Sequence, residues 1–244
     1  MKTRIDQLLV ARGLFDTRAR ARAAIEAGRV MVGGRTVAKP SEHVADDAAI
    51  QAEAAHRWVG RGALKLEHAL TLWPVAVEGR VVLDVGASTG GFTEVCLDRG
   101  AARVFAVDVG FGQMHPSVAG DPRVTNLERT DARDLTAQIV TAPPELIVCD
   151  ASFISLAKVL PAALLLAAPD ADLITLVKPQ FEQDGPKGVG KKGVVKDEAA
   201  QSAALEGAKA WLRSQGWSIR AESESPIRGG DGNVEYLVWA NRQI

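Results

Sequence analysis

From residue 81 onward, short apolar runs alternate with segments of helical spacing, and this alternation constrains the fold more than any other feature of the chain. The runs fall at 81–85, 104–108, 124–127, 146–150 and 172–178. Helical patterns lie between them at 92–98 and 156–168, with a short irregular helix broken by Pro116. A β-α-β-α order requires a mainly parallel sheet with helices on both faces. A polar loop, a helix over 197–215 and two last runs at 217–223 and 234–240 follow. Only a Pro/Gly-rich turn separates those two runs, so the last strand is expected to run antiparallel to its neighbours. The expected class is α/β.

The first 55 residues have a different character. A short helix is expected over 3–10. A second is expected over 17–27, with Asp16 as N-cap and Gly28 just past its end. Two short strands around Gly33-Gly34 read as a hairpin, and 48–52 adds a third strand. The expected layout is a small α+β domain over 1–55, a linker over 56–61 and a larger domain over 62–244. The larger domain opens with an amphipathic helix over 62–73.

The net charge of −1 conceals an asymmetry between these parts. Residues 1–40 hold nine Lys/Arg and three Asp/Glu, whereas the remainder has 20 basic and 27 acidic side chains. A basic module joined to an acidic one fits contact with phosphates. At 47% hydrophobic and 24% charged, the chain has ordinary globular composition. It has no apolar run of the ~18 residues that a bilayer requires. Its first residues lack the apolar core of a secretory leader. Cys96 and Cys149 show neither metal nor redox spacing, which fits buried thiols in a reducing cytoplasm. No metal and no membrane partner are expected.

Two groups of residues carry chemistry. The turn Asp84-Val-Gly-Ala-Ser-Thr-Gly-Gly91 follows a strand and opens a helix, whose free N–H groups and glycines suit close approach of a ligand. Asp108 ends the next strand, where a carboxylate can hold ribose hydroxyls. A dinucleotide would want glycine where Ser88 stands, so S-adenosylmethionine, which has no phosphate, fits better. Asp84 would meet its ammonium and Asp131 its adenine amine. The string Gly86-Ala-Ser-Thr-Gly90 also matches a nucleophile elbow, but no histidine occurs near the C-terminus to complete a triad. The glycine/lysine segment 185–192 lacks the Ser/Thr of a phosphate loop and reads as a mobile basic lid.

The second group sits at strand ends. Asp150 and Lys178 end apolar runs, and Glu235 lies near the start of the antiparallel one, so all three fall at one sheet edge, where α/β folds bind ligands. Lys65, on the helix before the first strand, is the candidate second amine. Two amines side by side disfavour each other's charge, so Lys178 can serve as a base, with Asp150 and Glu235 orienting the pair. A structural ion-pair network is the alternative on spacing alone.

Seven strings, in order along the chain, resemble the TlyA (hemolysin-A-type) RNA methyltransferases. They are Arg61-Gly-Ala-Leu-Lys-Leu, the turn from Asp84 extended through Phe92 to Thr93, Ala106-Val-Asp-Val-Gly110, Glu128-Arg-Thr-Asp-Ala-Arg-Asp-Leu135, Asp150-Ala-Ser-Phe-Ile-Ser-Leu156, Val177-Lys-Pro-Gln-Phe-Glu182 and Gly232-Asn-Val-Glu-Tyr236. The resemblance implies an N-terminal S-four-type RNA-binding domain and an FtsJ-like catalytic domain with a Rossmann-like class I methyltransferase sheet. It implies S-adenosylmethionine-dependent 2′-O-methylation of ribosomal RNA, naked or in a subunit, with a 23S cytidine favoured over dual 16S/23S activity. The family's Lys-Asp-Lys-Glu tetrad falls on Lys65, Asp150, Lys178 and Glu235. Its cofactor contacts fall on Asp84, Gly86, Ala87, Ser88, Gly90, Gly91, Phe92, Asp108, Val109, Asp131 and Ala132, where Asp131 departs from a common Asn. RNA phosphates are expected to meet Arg4, Arg18, Arg22 and Arg29. The competing expectations are a non-catalytic ribosome-assembly factor and, last, a membrane-lytic protein.

Overall fold

The structure is a computed structural model that describes residues 1–182, 193–229 and 231–242. The expected basic lid over 185–192 lies outside the described residues. The chain divides into two compact units, Met1–Arg61 and Gly62–Ile244.

In the first unit, β1 (Lys2–Arg4) leads into α1 (Ile5–Ala11) and α2 (Arg18–Glu26). The strands β2 (Val30–Val32), β3 (Arg35–Thr36), β4 (His43–Ala45) and β5 (Ile50–Ala52) follow. Strands β3, β2 and β5 form one antiparallel sheet, and β1 pairs with β4 in another. The β1–β4 pair lies outside the sequence expectation, because three-residue strands about forty positions apart leave no periodic signal. Thr17, rather than Asp16, caps α2, its hydroxyl accepting from the Arg20 N–H. Ile5, Leu8, Leu9, Ile25, Val30 and Val37 pack a small core. Asp6 is fully buried in it, accepting from Arg4 at 3.0 Å and from Arg18 at 2.7 Å. Burial alone would raise its pKa, but the two guanidinium hydrogen bonds prevail and hold it at about 2.

The second unit opens with α3 (Ala63–Leu72). Then come β6 (Val81–Val85), α4 (Gly91–Asp98), β7 (Arg103–Val107), α5 (Pro116–Ala119), β8 (Val124–Leu127) and β9 (Leu146–Cys149). It continues through α6 (Leu156–Val159), α7 (Pro161–Leu166), β10 (Asp172–Val177), α8 (Pro179–Glu182), α9 (Glu198–Ser214), β11 (Trp217–Glu224) and β12 (Tyr236–Arg242). The seven strands lie in the order β11-β12-β10-β9-β6-β7-β8. Strands β6 to β10 run parallel, and β12 is antiparallel to both of its neighbours, as the missing crossover requires. Every residue of β9 and β10 is buried, which the continuous apolar runs demand of a sheet covered on both faces.

Two prolines act differently from the sequence reading. Pro116 opens α5 at its first turn, where a missing N–H costs nothing, rather than breaking a helix. Pro161 divides the helix expected over 156–168 into α6 and α7, since it cannot donate to the preceding turn.

Candidate active site

Strand register builds the site. Val85 pairs with Cys149, so Gly86 and Asp150 leave the sheet side by side. Val177 pairs with Tyr236 across the antiparallel junction, so Lys178 emerges opposite Glu235. Val85 also pairs with Val107, which brings Asp108 to the same edge. Lys65 comes from α3, on the buried face with Leu66 and Ala69.

The four charged side chains form one contiguous cluster. Lys178 Nζ lies 2.7 Å from Asp150 Oδ1 and donates to the Asp150 carbonyl at 3.0 Å and to Ser152 Oγ at 2.8 Å. Lys65 Nζ donates to both Asp150 oxygens, at 3.2 and 3.0 Å. It also lies 2.7 Å from Glu235 Oε2, off the hydrogen-bonding direction, so that contact is electrostatic. Side-chain exposures are 8% for Lys65, 18% for Asp150, 6% for Lys178 and 4% for Glu235. Two amines against two carboxylates balance the buried charge, which a low-dielectric site requires. Gly229 backs the cluster, for a Cβ there would stand 2.5 Å from Glu235 Oε1.

Two adjoining cavities meet at this edge. The smaller, about 240 Å³, is lined by all four cluster residues together with Gly86, Ala87, Ser88, Gly91 and Phe92. The larger, about 550 Å³, is lined by Gly86, Ser88, Asp108, Val109, Asp131 and Ala132 among others. Asp150 and Ser152 border both. Asp108 accepts from the backbone N–H of Ser88 at 2.8 Å and of Gly110 at 2.7 Å, and each oxygen retains a lone pair for a ligand hydroxyl. Asp131 is forked with Arg133, its pKa lowered by the guanidinium hydrogen bond. Three carboxylates, Asp108, Asp131 and Asp150, face this cavity against the single guanidinium of Arg133. That donor set suits a cationic, phosphate-free ligand with hydroxyls, and the volume lies in the range of cofactor pockets. S-adenosylmethionine fits this set, and a pyrophosphate does not.

Several expected residues take other places. Asp84 lines neither cavity. It is fully buried, accepts from the Thr93 hydroxyl at 2.7 Å, and burial pushes its pKa up to about 7. Asp84 ties β6 to α4 through that hydroxyl. Gly90 also lies off the walls, at the head of α4 with φ +88°. Gly86, at φ +83°, is needed for the approach of protein as well, since a Cβ there would stand 2.9 Å from the backbone of Ala151. Among the expected RNA contacts, Arg4 and Arg18 clasp Asp6, and Arg29 lies 3.4 Å from Glu53. Arg22 is exposed and makes no ion pair among the described residues. Sequence reasoning missed Ser152, Thr93 and Gly229 as neighbours of the site. A loop serine, a helix threonine and a turn glycine carry no signal until the contacts are seen.

Among the described residues, no helix is long and apolar enough to cross a membrane, and no group of three His, Cys, Asp or Glu could hold a metal.

Comparison with known proteins gives two family matches, an FtsJ-like methyltransferase over residues 58–242 and an S4 domain over residues 3–50. The chain is 46% identical over 244 residues to the 16S/23S rRNA (cytidine-2'-O)-methyltransferase TlyA of Mycobacterium tuberculosis (strain ATCC 25618 / H37Rv), covering 99% of this chain and 91% of that protein. It is 42% identical over 239 residues to YqxC of Bacillus subtilis (strain 168), named as an rRNA methyltransferase, covering 97% and 85%. A solved structure of a hemolysin-named protein from Streptococcus thermophilus matches with a TM-score of 0.79 at 36% identity, over 99% of this chain and 89% of that one.

Proposed function

The chain belongs to the FtsJ-like methyltransferase family, in the TlyA branch that carries an N-terminal S4 domain, and from that premise we propose that it methylates ribose 2′-hydroxyls of ribosomal RNA. The cofactor is S-adenosylmethionine. The finer reading is a cytidine of 23S rRNA, with 16S rRNA as a second target, since the TlyA relative is named for cytidines of both. The observation that carries the reading is the Lys65–Asp150–Lys178–Glu235 cluster, which lines a cavity adjoining a cofactor-sized one.

When bound, S-adenosylmethionine supplies a methyl group already activated by a positive sulfur. Little remains for the protein beyond placing the ribose oxygen within ~3–3.5 Å of that methyl and removing one proton. Asp108 would hold the cofactor ribose and Asp131 the adenine amine. Lys178 would receive the proton of the 2′-hydroxyl. Asp150 touches both amines and fixes their spacing, and Glu235, 2.7 Å from Lys65 Nζ, would keep that amine beside the oxygen that becomes negative. A proton accepted by Lys178 would leave its amine positive against Asp150 Oδ1, 2.7 Å away, which would stabilise that charge in the buried site. The N-terminal unit would grip ribosomal RNA, free or within a subunit, mainly through phosphates.

The test is to map ribose 2′-O-methylation in 16S and 23S rRNA from cells with and without the gene. The expected result is loss of cytidine methylation on deletion and its return with the wild-type gene but not with Lys178→Ala. Identical maps in the two strains would refute the reading.

A further inference from the structure

We infer that Ser152 is a catalytic residue of this same site, passing the proton of the target hydroxyl to Lys178; the inference rests on the function proposed above. It follows from counting what Lys178 Nζ can do. The Lys178 ammonium donates to the Asp150 carbonyl at 3.0 Å and to Ser152 Oγ at 2.8 Å, and lies 2.7 Å from Asp150 Oδ1 in an ion pair. To act as a base, Lys178 must present a lone pair, which leaves two N–H groups. A carboxylate and a carbonyl oxygen are acceptors only, so neither can hand a proton to that lone pair. Of the three partners, a hydroxyl alone can turn from acceptor to donor.

The position of Ser152 matches that role. It is exposed and borders both cavities, whereas Lys178 is buried and borders the smaller one alone. Its hydroxyl makes no other hydrogen bond among the described residues. A substrate hydroxyl where the two cavities meet is within reach of Oγ, which lies 2.8 Å from Lys178 Nζ.

The step balances. The 2′-O–H bond breaks as its proton bonds to Ser152 Oγ, and the former Oγ proton bonds to Nζ. The electron pair left on the 2′-oxygen forms the new O–C bond. The pair of the breaking C–S bond stays on sulfur, which ends neutral while Lys178 ends as ammonium. Ser152 is a hydroxyl before and after.

The experiment compares Ser152→Ala, Ser152→Thr and Lys178→Ala in the full-length protein. Methyl transfer is assayed on 16S and 23S rRNA and on ribosomal subunits from cells lacking the gene. Ser152→Ala is expected to lower kcat about a hundredfold, with KM for RNA and the calorimetric affinity for S-adenosylmethionine unchanged. Ser152→Thr, which keeps the hydroxyl, should restore most of the rate. The wild-type rate in mixtures of light and heavy water should curve as two protons in flight require. In the ligand-free protein, the Lys178 side-chain NMR signal should shift in Ser152→Ala and return in Ser152→Thr. A folded Ser152→Ala within threefold of wild-type kcat, or an unmoved Lys178 signal, would overturn the relay. Turnover surviving in Lys178→Ala, or a wild type inactive on every rRNA, would instead sink the functional reading beneath it.

Discussion

At Gly229 a hydrogen atom stands where any other residue would place carbon against Glu235. A Cβ there would lie 2.5 Å from Oε1, closer than carbon and oxygen approach without a bond, and the carboxylate is 4% exposed, so it has little room to retreat. Gly229 has no positive φ, so alanine there brings crowding without backbone strain. Gly229→Ala is expected to cut kcat at least tenfold through displacement of Glu235, with the melting temperature within a few degrees of wild type. Steady-state kinetics beside a thermal melt would show it, and unchanged kcat would mean Glu235 tolerates displacement. Gly86 differs in kind. Its φ of +83° disfavours a side chain, and the atoms a Cβ would meet are the backbone N and Cα of Ala151, 2.9 Å away. Backbone between two buried parallel strands cannot yield as a side-chain tip does. Gly86→Ala is therefore expected to cost about 2 kcal/mol or more of stability and to weaken S-adenosylmethionine binding, both readable by denaturant titration and calorimetry.

The junction of β6 with α4 shows how an element boundary can imitate a ligand contact. Asp84 stands at the place from which a carboxylate reaches a ligand, yet the Thr93 hydroxyl takes it inside the protein. Burial raises its pKa from 3.8 to about 7, with the Thr93 hydrogen bond opposing. A carboxyl raised in the folded state keeps its proton longer there than in the unfolded chain. Its contribution is whole below about pH 4 and is lost as the pH rises through 7, a span worth up to about 4 kcal/mol. Asp84→Asn does not titrate, so the stability difference between variant and wild type should move in the variant's favour by up to that amount from pH 4 to pH 8. Urea unfolding at several pH values would measure it, and a pH-independent difference would contradict the raised pKa. Asp84 also marks the limit of what sequence could tell about this site. Asp150 and Lys178 were legible because each follows an apolar run in a β-α alternation, which leaves one sheet edge for both. Glu235 was legible because a missing crossover fixes the direction of β12. The burial of Asp84 depends on a hydroxyl nine residues away on the next helix, and the clasp on Asp6 depends on how α1 meets α2. No periodicity encodes either contact. The break at Pro161 was visible in the sequence, but an apolar pattern continuous on both sides masked it.

Across the whole molecule, charge is divided by unit. Residues 1–61 carry eleven Lys/Arg against seven Asp/Glu, and residues 62–244 carry 18 against 23. The net positive charge therefore lies in the smaller unit, but its cations are not equivalent. Arg4 and Arg18 neutralise a carboxylate that is fully buried, and Arg20, Arg29 and Arg35 pair with Asp16, Glu53 and Glu42. Arg12 donates to the backbone carbonyls of Asp46 and Ala48, contacts that leave its charge uncompensated, and Arg22 is exposed without an ion pair among the described residues. Counterion release counts phosphates neutralised, at about 0.7–0.9 of a unit of salt slope for each. Arg12→Ala and Arg22→Ala in the full chain should therefore each flatten the salt dependence of rRNA binding by nearly one unit, and Arg22→Ala should leave stability unchanged. Arg18→Ala should leave the slope nearly intact and lower stability by about 1.5–3 kcal/mol, because it strips a charge-assisted hydrogen bond from Asp6. Filter binding from low to high salt, with thermal melts of the same proteins, separates the two classes. If Arg18→Ala flattens the slope without loss of stability, the clasp on Asp6 gives way to RNA, and the charge of this unit is set by its ligand rather than by its fold.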